Sequence, residues 1–277
     1  MVTKADYGQR EVEACKSVLV ELVHLLGEFR DSMVLIGGWV PPLLYPAAAN
    51  THVGSLDIDL ALNHQMVDDE TYQTIKELLM RRGYHEGSQP FIFYRDVPMR
   101  DGNPVNVAVN FLSGEYGGTG KTHRTQKFQD IRARKARGCD LAFGNFRTCE
   151  IESELPGGGK DRVQVHIAAV VPFIVMKGMA LADRLKEKDA WDIYFCLRHH
   201  PGGIENLIKE FEPHIGHGLV KEGLAKIAEK FGSLNQIGPR QVADFESVAD
   251  VEERARIERD AFERVKYLLR RLGMVNP

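Results

Sequence analysis

The chain has 277 residues, of which 43% are hydrophobic and 27% charged, and its formal net charge at pH 7 is −3. This composition is typical of a globular protein, and the length fits one large domain or two small ones. The charge excludes a uniformly basic nucleic-acid-binding chain but permits a local basic patch. The four cysteines form no Cys-x-x-Cys pair, which favours reduced thiols and a cytoplasmic location. The longest apolar run, at 167–176, is about half a membrane span, so we expect no membrane segment.

Hydrophobic periodicity predicts an α/β (α+β) part that contains strands and helices, followed by a helical C-terminal region. The first part holds predicted helices at 9–28 and 69–82, and strands at 33–36, 56–62, 91–95, 104–112, 139–143, 146–151 and 163–167. A glycine-rich loop is expected at 114–120, and the loop at 155–159 is the best linker candidate. Later helices are predicted near 186–199, 203–211, 219–231 and 249–272. We therefore predict an α/β domain over 1–160 and a mainly helical domain over 161–277.

Two aspartates and a double glycine form the sharpest local pattern. Asp57 and Asp59 alternate along a predicted strand, so their carboxylates should lie on one face. Two carboxylates so close repel each other unless a cation or a shell of hydrogen bonds offsets their charge. Mg²⁺ suits them, because it prefers such hard oxygen ligands together with phosphate oxygens. Gly37 and Gly38 follow the preceding strand and allow the backbone to approach a ligand closely. Alternatively, the acids line a solvent-exposed face and the glycines form a turn.

These residues lie in a segment that resembles a known signature. Residues 34–39 (Val-Leu-Ile-Gly-Gly-Trp), followed by 52–62, resemble the motif of the polymerase-β-type nucleotidyltransferase superfamily. Met176-Lys177, Arg184 and residues 188–194 (Lys-Asp-Ala-Trp-Asp-Ile-Tyr) resemble the lysine-rich helical motif of the AbiEii/AbiGii toxin-type branch. Members of that branch are bacterial proteins, often encoded with an antitoxin. The resemblance covers roughly residues 30–200 and implies a nucleotidyltransferase-like fold, a mixed α/β (α+β) sheet with flanking helices.

The resemblance also implies roles for individual residues. On the strand side, the carboxylates of Asp57 and Asp59 would hold Mg²⁺ or Mn²⁺, while Gly37 and Gly38 would contact the triphosphate. Ser55 would touch phosphate or orient the strand; alternatively, it is a turn residue. On the helical side, Lys177 and Arg184 would counter phosphate charge, and Asp192, with Asp189, would complete the site. The simpler interpretation of Lys188, Asp189 and Asp192 is a surface ion-pair cluster at helical spacing.

One position departs from the family pattern. Many members carry a third carboxylate on a later strand, where this chain has Asn110 in Val-Ala-Val-Asn-Phe-Leu at 107–112. An amide can coordinate a metal weakly but cannot accept a proton as a base. Either Asp189 or Asp192 substitutes for the missing acid, or the protein is slow or inactive.

A basic stretch at 121–137 contains seven Lys or Arg residues and one acid, Asp130. It is compatible with RNA, triphosphate or an acidic partner, although a solvated charged face is the simpler interpretation.

The sequence thus predicts an Mg²⁺-dependent nucleotidyltransferase that moves a nucleoside monophosphate from a nucleoside triphosphate to a hydroxyl acceptor, RNA or tRNA being the candidate in toxin-type relatives. A cognate antitoxin is a further candidate partner. The alternatives are transfer of the γ-phosphate, a nucleotide- or partner-binding protein that has lost catalysis, and a transferase acting on a small molecule such as an antibiotic.

Overall fold

The computed structural model describes residues 1–63, 66, 69–89, 91–99, 102–114, 125–128 and 131–275, with the backbone alone for 69–73, 125–128 and 131–135. Residue contacts divide it into two units. The sheet unit comprises Tyr7–Leu43 and Gly54–Ala169. The helical unit comprises Met1–Asp6, Leu44–Val53 and Val170–Pro277.

Nine strands within the described residues form one sheet in the sheet unit. They are β1 (Met33–Ile36), β2 (Asp57–Leu62), β3 (His85–Glu86), β4 (Ile92–Val97), β5 (Val105–Ser113), β6 (Thr125–Phe128), β7 (Ile131–Lys135), β8 (Phe146–Glu154) and β9 (Lys160–Ala168). Seven follow the order β3-β4-β5-β2-β1-β9-β8, and the β6–β7 hairpin joins through β7 to β5. The sheet is mixed, because β2 pairs with β5 in parallel but with β1 antiparallel.

The helices are α1 (Gln9–Leu25), α2 (Val40–Leu44), α3 (Asp69–Arg81), α4 (Asp140–Gly144), α5 (Val170–Arg184), α6 (Glu187–His199), α7 (Gly203–Phe211), α8 (Gly218–Lys230), α9 (Ile237–Glu246) and α10 (Val251–Arg271). Short 3-10 segments occupy Lys4–Asp6, Gly27–Ser32, Gly37–Trp39, Pro46–Thr51 and Glu212–His214. In the described part of the chain, no helix combines the length and the apolar character that a bilayer crossing requires.

The core of the sheet unit lies between α1 and one face of the sheet. α1 contacts β2, β4, β5, β8 and β9. Alternate strand residues are almost fully buried, among them Ile58, Phe93, Val107 and Val109. Because side chains alternate between the two faces of a strand, the neighbours of these residues lie on the opposite face.

The helical unit is built around α5 and α6. α5 starts with Pro172 in its first turn, where the missing N–H interrupts no helical hydrogen bond. It packs closely on α8, because a Cβ at Gly178 would lie 2.6 Å from the Gly223 carbonyl oxygen. α6 packs against α9 and α10, and the side chains of Trp191 and Phe245 are buried there.

This architecture confirms the predicted mixed sheet followed by a helical region, but two local interpretations are wrong. The apolar segment at 139–143 is not a strand, since 140–144 form α4; a short apolar run carries no decisive periodicity. The loop at 155–159 is not a linker but the turn of the β8–β9 hairpin, in which the Leu155 N–H donates to the Gly159 carbonyl over 2.8 Å.

The predicted domain boundary after residue 160 falls at the start of β9, whereas the contact-based units change between Ala169 and Val170. The predicted glycine-rich loop lies outside the described residues from 115 onward.

Candidate active site

The two aspartates that the sequence assigned to a metal lie on one face of β2. Asp57 and Asp59 are half-buried, whereas Ile58 and Leu60 are buried. Parallel pairing places Asp59 opposite Asn110 on β5. The face that bears these three polar side chains is the one opposite the buried core residues, and we refer to it as the open face.

Neighbouring side chains hold both carboxylates by hydrogen bonds. The Ser55 hydroxyl donates to Asp57 Oδ1 over 2.7 Å. The Asn110 side-chain amide donates to Asp59 Oδ1 over 3.0 Å. Asn110 thus occupies the position of the expected third acid, but it acts towards Asp59 as a hydrogen-bond donor. These bonds orient the two carboxylates, and Asn110 offers no base beside them.

Gly37 lies directly against the second of these carboxylates. Ile36 pairs with Asp59 across β1 and β2, and Gly37 follows with φ = 75°, in the left-handed region that favours glycine. A Cβ at Gly37 would lie only 2.2 Å from Asp59 Oδ2. Gly38, the second predicted phosphate contact, is buried in the 3-10 turn that follows β1. Glycine at position 37 is therefore required for the backbone to approach Asp59 this closely.

The donor set at this position suits a hard divalent cation. Among the described residues, no group of three or more His, Cys, Asp and Glu side chains is arranged to hold a metal. Mg²⁺ does not need such a group, because it is usually held by one or two carboxylates together with water and substrate phosphate oxygens. Asp57 and Asp59 on the open face match that requirement and are the residues that would hold it.

Trp39 closes the buried side of the segment that follows Gly38. Its indole N–H donates to the Cys15 sulfur over 3.3 Å. Burial raises the pKa of the Cys15 thiol well above its usual range, and the negative charges of Asp57 and Asp59 raise it further. Cys15 is therefore a neutral packing residue beneath the acids and not a nucleophile.

The other predicted site residues lie in the helical unit, where α5 and α6 bring them together. Lys177 Nζ lies 2.8 Å from Asp189 Oδ1 and 2.7 Å from Asp192 Oδ2. The Arg184 guanidinium binds Asp189 through two hydrogen bonds of 2.7 and 2.9 Å. The predicted charges thus contact one another directly.

Lys188 and His52 complete this group of side chains. We call it the buried charge cluster, and it comprises His52, Lys177, Arg184, Lys188, Asp189 and Asp192. Lys188 Nζ contacts both carboxylate oxygens of Asp192, at 2.9 and 3.1 Å, and His52 Nε2 lies 3.1 Å from Asp192 Oδ1. The Asp189 and Asp192 side chains are 1% and 0% exposed. The interpretation of this motif as a surface ion-pair cluster is therefore wrong.

Burial and neighbouring charges oppose each other in this cluster. Burial alone would raise the pKa of Asp192, but Lys177 and Lys188 outweigh it and hold that pKa well below its usual range. Burial would lower the pKa of Lys177, yet Asp189 and Asp192 raise it. For Lys188, burial prevails and lowers the pKa. Burial, with the charge of Lys188, also lowers the pKa of His52 to about 4, so His52 is neutral at pH 7.

His52 was missed as a site residue by sequence reasoning. It belongs to the segment Leu44–Val53, which is part of the helical unit although it precedes β2 in the chain. Its partner Asp192 lies 140 residues further along the chain. The only available signal was its position three residues before Ser55, within the segment that resembles the nucleotidyltransferase signature.

The basic stretch at 121–137 is described only in part. Residues 125–128 and 131–135 form the β6–β7 hairpin, and Arg137 is exposed. The remaining basic side chains lie outside the described residues, so the predicted patch stays a prediction.

Comparison with known proteins assigns no family. No family model matches the chain, and no curated protein matches its sequence. Among solved structures, JHP933 from Helicobacter pylori is similar with 12% identity and a TM-score of 0.48, covering 96% of this chain and 94% of that one. An antigenic nucleotidyltransferase-like protein from Paracoccidioides brasiliensis is similar with 16% identity and a TM-score of 0.45, covering 81% and 92%. TM-scores below 0.5 assign no activity to this chain.

Proposed function

We propose that the chain is an Mg²⁺- or Mn²⁺-dependent nucleotidyltransferase that moves a nucleoside monophosphate from a nucleoside triphosphate to a hydroxyl acceptor. One observation carries the proposal: Asp57 and Asp59 lie side by side on the open face, each oriented by a hydrogen bond, with Gly37 packed against Asp59. A bound Mg²⁺ would supply charge neutralisation for the triphosphate at this position.

The reaction exchanges one phosphorus–oxygen bond for another. The acceptor oxygen bonds to the α-phosphorus, the bond from that phosphorus to the oxygen bridging to the β-phosphate breaks, and pyrophosphate leaves. Asn110 cannot accept the hydroxyl proton, which therefore passes to solvent. Ser55 and Asn110 keep the two carboxylates oriented, and such fixed charge is the main source of rate in phosphoryl-type transfers. We expect turnover to be slow because no base lies at position 110.

The buried charge cluster supports a role in binding phosphate. The cluster pairs three basic side chains, Lys177, Arg184 and Lys188, with two acids, Asp189 and Asp192. With His52 neutral, this formal count leaves one positive charge in excess. The side chain of Arg184 is 45% exposed and can reach an anion. We assign Lys177 and Arg184 to countering phosphate charge. Asp189 and the fully buried Asp192 would act by positioning these cations.

The resemblance to the AbiEii/AbiGii toxin-type branch supports a finer proposal. The protein would act in the cytoplasm on RNA or tRNA, with a cognate antitoxin as partner. If so, expression in a bacterial host should arrest growth. The Asp57→Asn/Asp59→Asn variant, expressed to the same level, should not.

The direct test is transfer of label from nucleoside triphosphates to total tRNA. The four triphosphates, each labelled at the α- or the γ-phosphate, are incubated with the protein and tRNA in Mg²⁺ or Mn²⁺. We expect incorporation of the α-label from at least one nucleotide and release of pyrophosphate. Asp57→Asn and Asp59→Asn should each reduce transfer by roughly 100-fold or more, whereas Asp31→Asn, which changes an exposed carboxylate of the same unit, should leave it unchanged.

The other outcomes contradict the proposal in different ways. Transfer of the γ-label alone would identify a kinase. Tight binding of Mg²⁺–triphosphate without any transfer would identify a binding protein that has lost catalysis, the alternative that the donor role of Asn110 favours. Transfer to a small hydroxylated compound but never to tRNA would contradict RNA as the acceptor, while nucleotidyl transfer would still be the reaction.

A further inference from the structure

The open face carries an aromatic pair that the proposed reaction does not use. Tyr94 on β4 lies opposite His85 on β3, and their rings stack with centroids 5.8 Å apart and 29° between the planes. The register continues inward, since Tyr94 pairs with Ala108 and Ala108 with Asp57. Because directly opposed residues on neighbouring strands share a face, Asp57, Ala108, Tyr94 and His85 form one row across the open face.

Among the described residues, this row presents an aromatic ring beside a small side chain. Tyr94 rests on Gly87, where a Cβ would lie 2.7 Å from the tyrosine ring. His85 covers the ring on the β3 side, so the other ring face is directed towards β5. There the row continues with Ala108, which is half-buried and has only a methyl group above the sheet. Two strand spacings separate Tyr94 from Asp57, about 10 Å, which accommodates a stacked ring and a hydroxyl group beyond it.

The order of the strands indicates which part of the reaction lies over this row. In a phosphoryl-type transfer, the attacking and leaving oxygens lie roughly in line on opposite sides of the phosphorus. Gly37 and Gly38 follow β1, on one side of β2, and Tyr94 and His85 lie beyond β5 on the other side. If the leaving pyrophosphate lies over the glycines, the acceptor hydroxyl approaches from the side of Tyr94.

We propose that the open face binds the acceptor through its terminal nucleobase, which stacks on Tyr94 and places a ribose hydroxyl near Asp57. This inference rests on the proposed function for its chemistry, and it defines the acceptor as the end of a nucleic-acid strand and not a small sugar or amine. A tyrosine ring stacks on any base, so the surface recognises the end of the strand with little regard to sequence.

Binding tests the inference without requiring transfer. Fluorescence anisotropy measures the affinity of the full chain for a labelled single-stranded RNA hexamer, and for the same hexamer with an abasic ribose at its 3′ end. Stacking of one base should make the intact hexamer bind at least about fivefold more tightly. Tyr94→Leu, which replaces the ring with a branched apolar side chain, should abolish this difference, and Tyr94→Phe should retain it. Tyr267→Ala, which removes an exposed tyrosine of the helical unit, should have no effect.

Equal affinity for the two hexamers, or a difference that survives in Tyr94→Leu, would overturn the inference even if label transfer succeeds. A Tyr94-dependent difference without any label transfer would support the nucleobase surface while contradicting the proposed catalysis. Failure of the two proposals is therefore distinguishable.

Discussion

At the level of single residues, the candidate site depends on very close packing around Asp59. Its carboxylate accepts a hydrogen bond from Asn110 on one side and lies against the backbone of Gly37 on the other. A side chain at position 37 would have to displace the carboxylate. The position of Asp59 is thus set by two residues that carry no charge.

Gly37→Ala tests this packing. The left-handed backbone conformation of Gly37 is unfavourable for alanine by roughly 1–2 kcal/mol, and the added Cβ would also meet Asp59 Oδ2 at 2.2 Å. We expect lower stability in urea unfolding and loss of nearly all transfer activity. Gly158→Ala is the matched control, because Gly158 has φ = 85° and nothing within 4 Å of its would-be Cβ. If both variants lose the same stability and both keep activity, the close contact between Gly37 and Asp59 does not affect transfer.

At the level of the elements, the register between β2 and β5 decides which side chains meet. Asp59 lies opposite Asn110 because the two strands pair in parallel at that position. A shift by one residue would place buried Val109 or Phe111 there instead. The strands therefore supply both the spacing of the two acids and the amide donor beside one of them.

Asn110→Asp should convert this contact into a metal-dependent one. The change removes the donated hydrogen bond and places a third carboxylate beside Asp59, so the charges repel each other in the absence of a cation. We expect the melting temperature to fall in EDTA and to rise on adding Mg²⁺, by more than in the wild type. A variant as stable as the wild type in EDTA, with no response to Mg²⁺, would argue against a cation site at Asp57 and Asp59.

The contact between α5 and α6 carries a second prediction. Lys177→Met leaves Asp189 and Asp192 buried with fewer compensating charges, which typically costs about 3–5 kcal/mol. Lys226→Met is the control, since Lys226 makes only longer ion pairs, 3.8 and 3.7 Å, with Asp183 and Glu222 and should cost less than about 1 kcal/mol. Urea unfolding measures both. Similar losses for the two lysines would contradict the importance of the buried pairs.

Much of this organisation, though not all of it, follows from the sequence. The continuous apolar run at 33–36 and the alternation around Asp57 identified β1 and β2, because burial on one or both faces leaves a readable pattern. The same approach failed at 139–143, where a run of five residues does not distinguish one helical turn from a strand. The partners of Asp192 depend on tertiary contacts, and a single histidine at position 52 carries no periodicity. Tyr94 could not be identified either, because its place in one row with Asp57 depends on the order and register of β4, β5 and β2.

At the scale of the whole molecule, the net charge of −3 conceals two very different electrostatic regions. The open face of the sheet unit bears two acids that a cation would neutralise. The helical unit encloses a cluster whose basic and acidic side chains, by formal count, leave one positive charge in excess when His52 is neutral. Because burial shifts the pKa values of these groups, the free energy of unfolding should depend on pH through their protonation.

His52 gives that dependence a defined window. Burial lowers its pKa to about 4 in the folded protein, against about 6.5 in the unfolded chain. Above pH 6.5 it is neutral in both states and has no effect; between pH 6.5 and 4 the unfolded chain takes up the proton first, so stability falls as the pH falls. The loss should reach roughly 3 kcal/mol. The lowered pKa values of Asp189 and Asp192 act in a separate window, below their ordinary value of 3.8.

Urea unfolding at intervals between pH 7.5 and 4 measures this loss. His52→Asn keeps a donor for Asp192 but cannot titrate, so its stability should fall less steeply between pH 6.5 and 4 even though it is lower than wild type at pH 7. His24→Asn changes a histidine whose side chain is 70% exposed and should keep the wild-type slope. If His52→Asn loses stability as steeply as the wild type, His52 takes up its proton as readily in the folded protein as in the unfolded chain. It would then not be the buried neutral partner of Asp192, and the positive excess assigned to the cluster would be larger below pH 6.5.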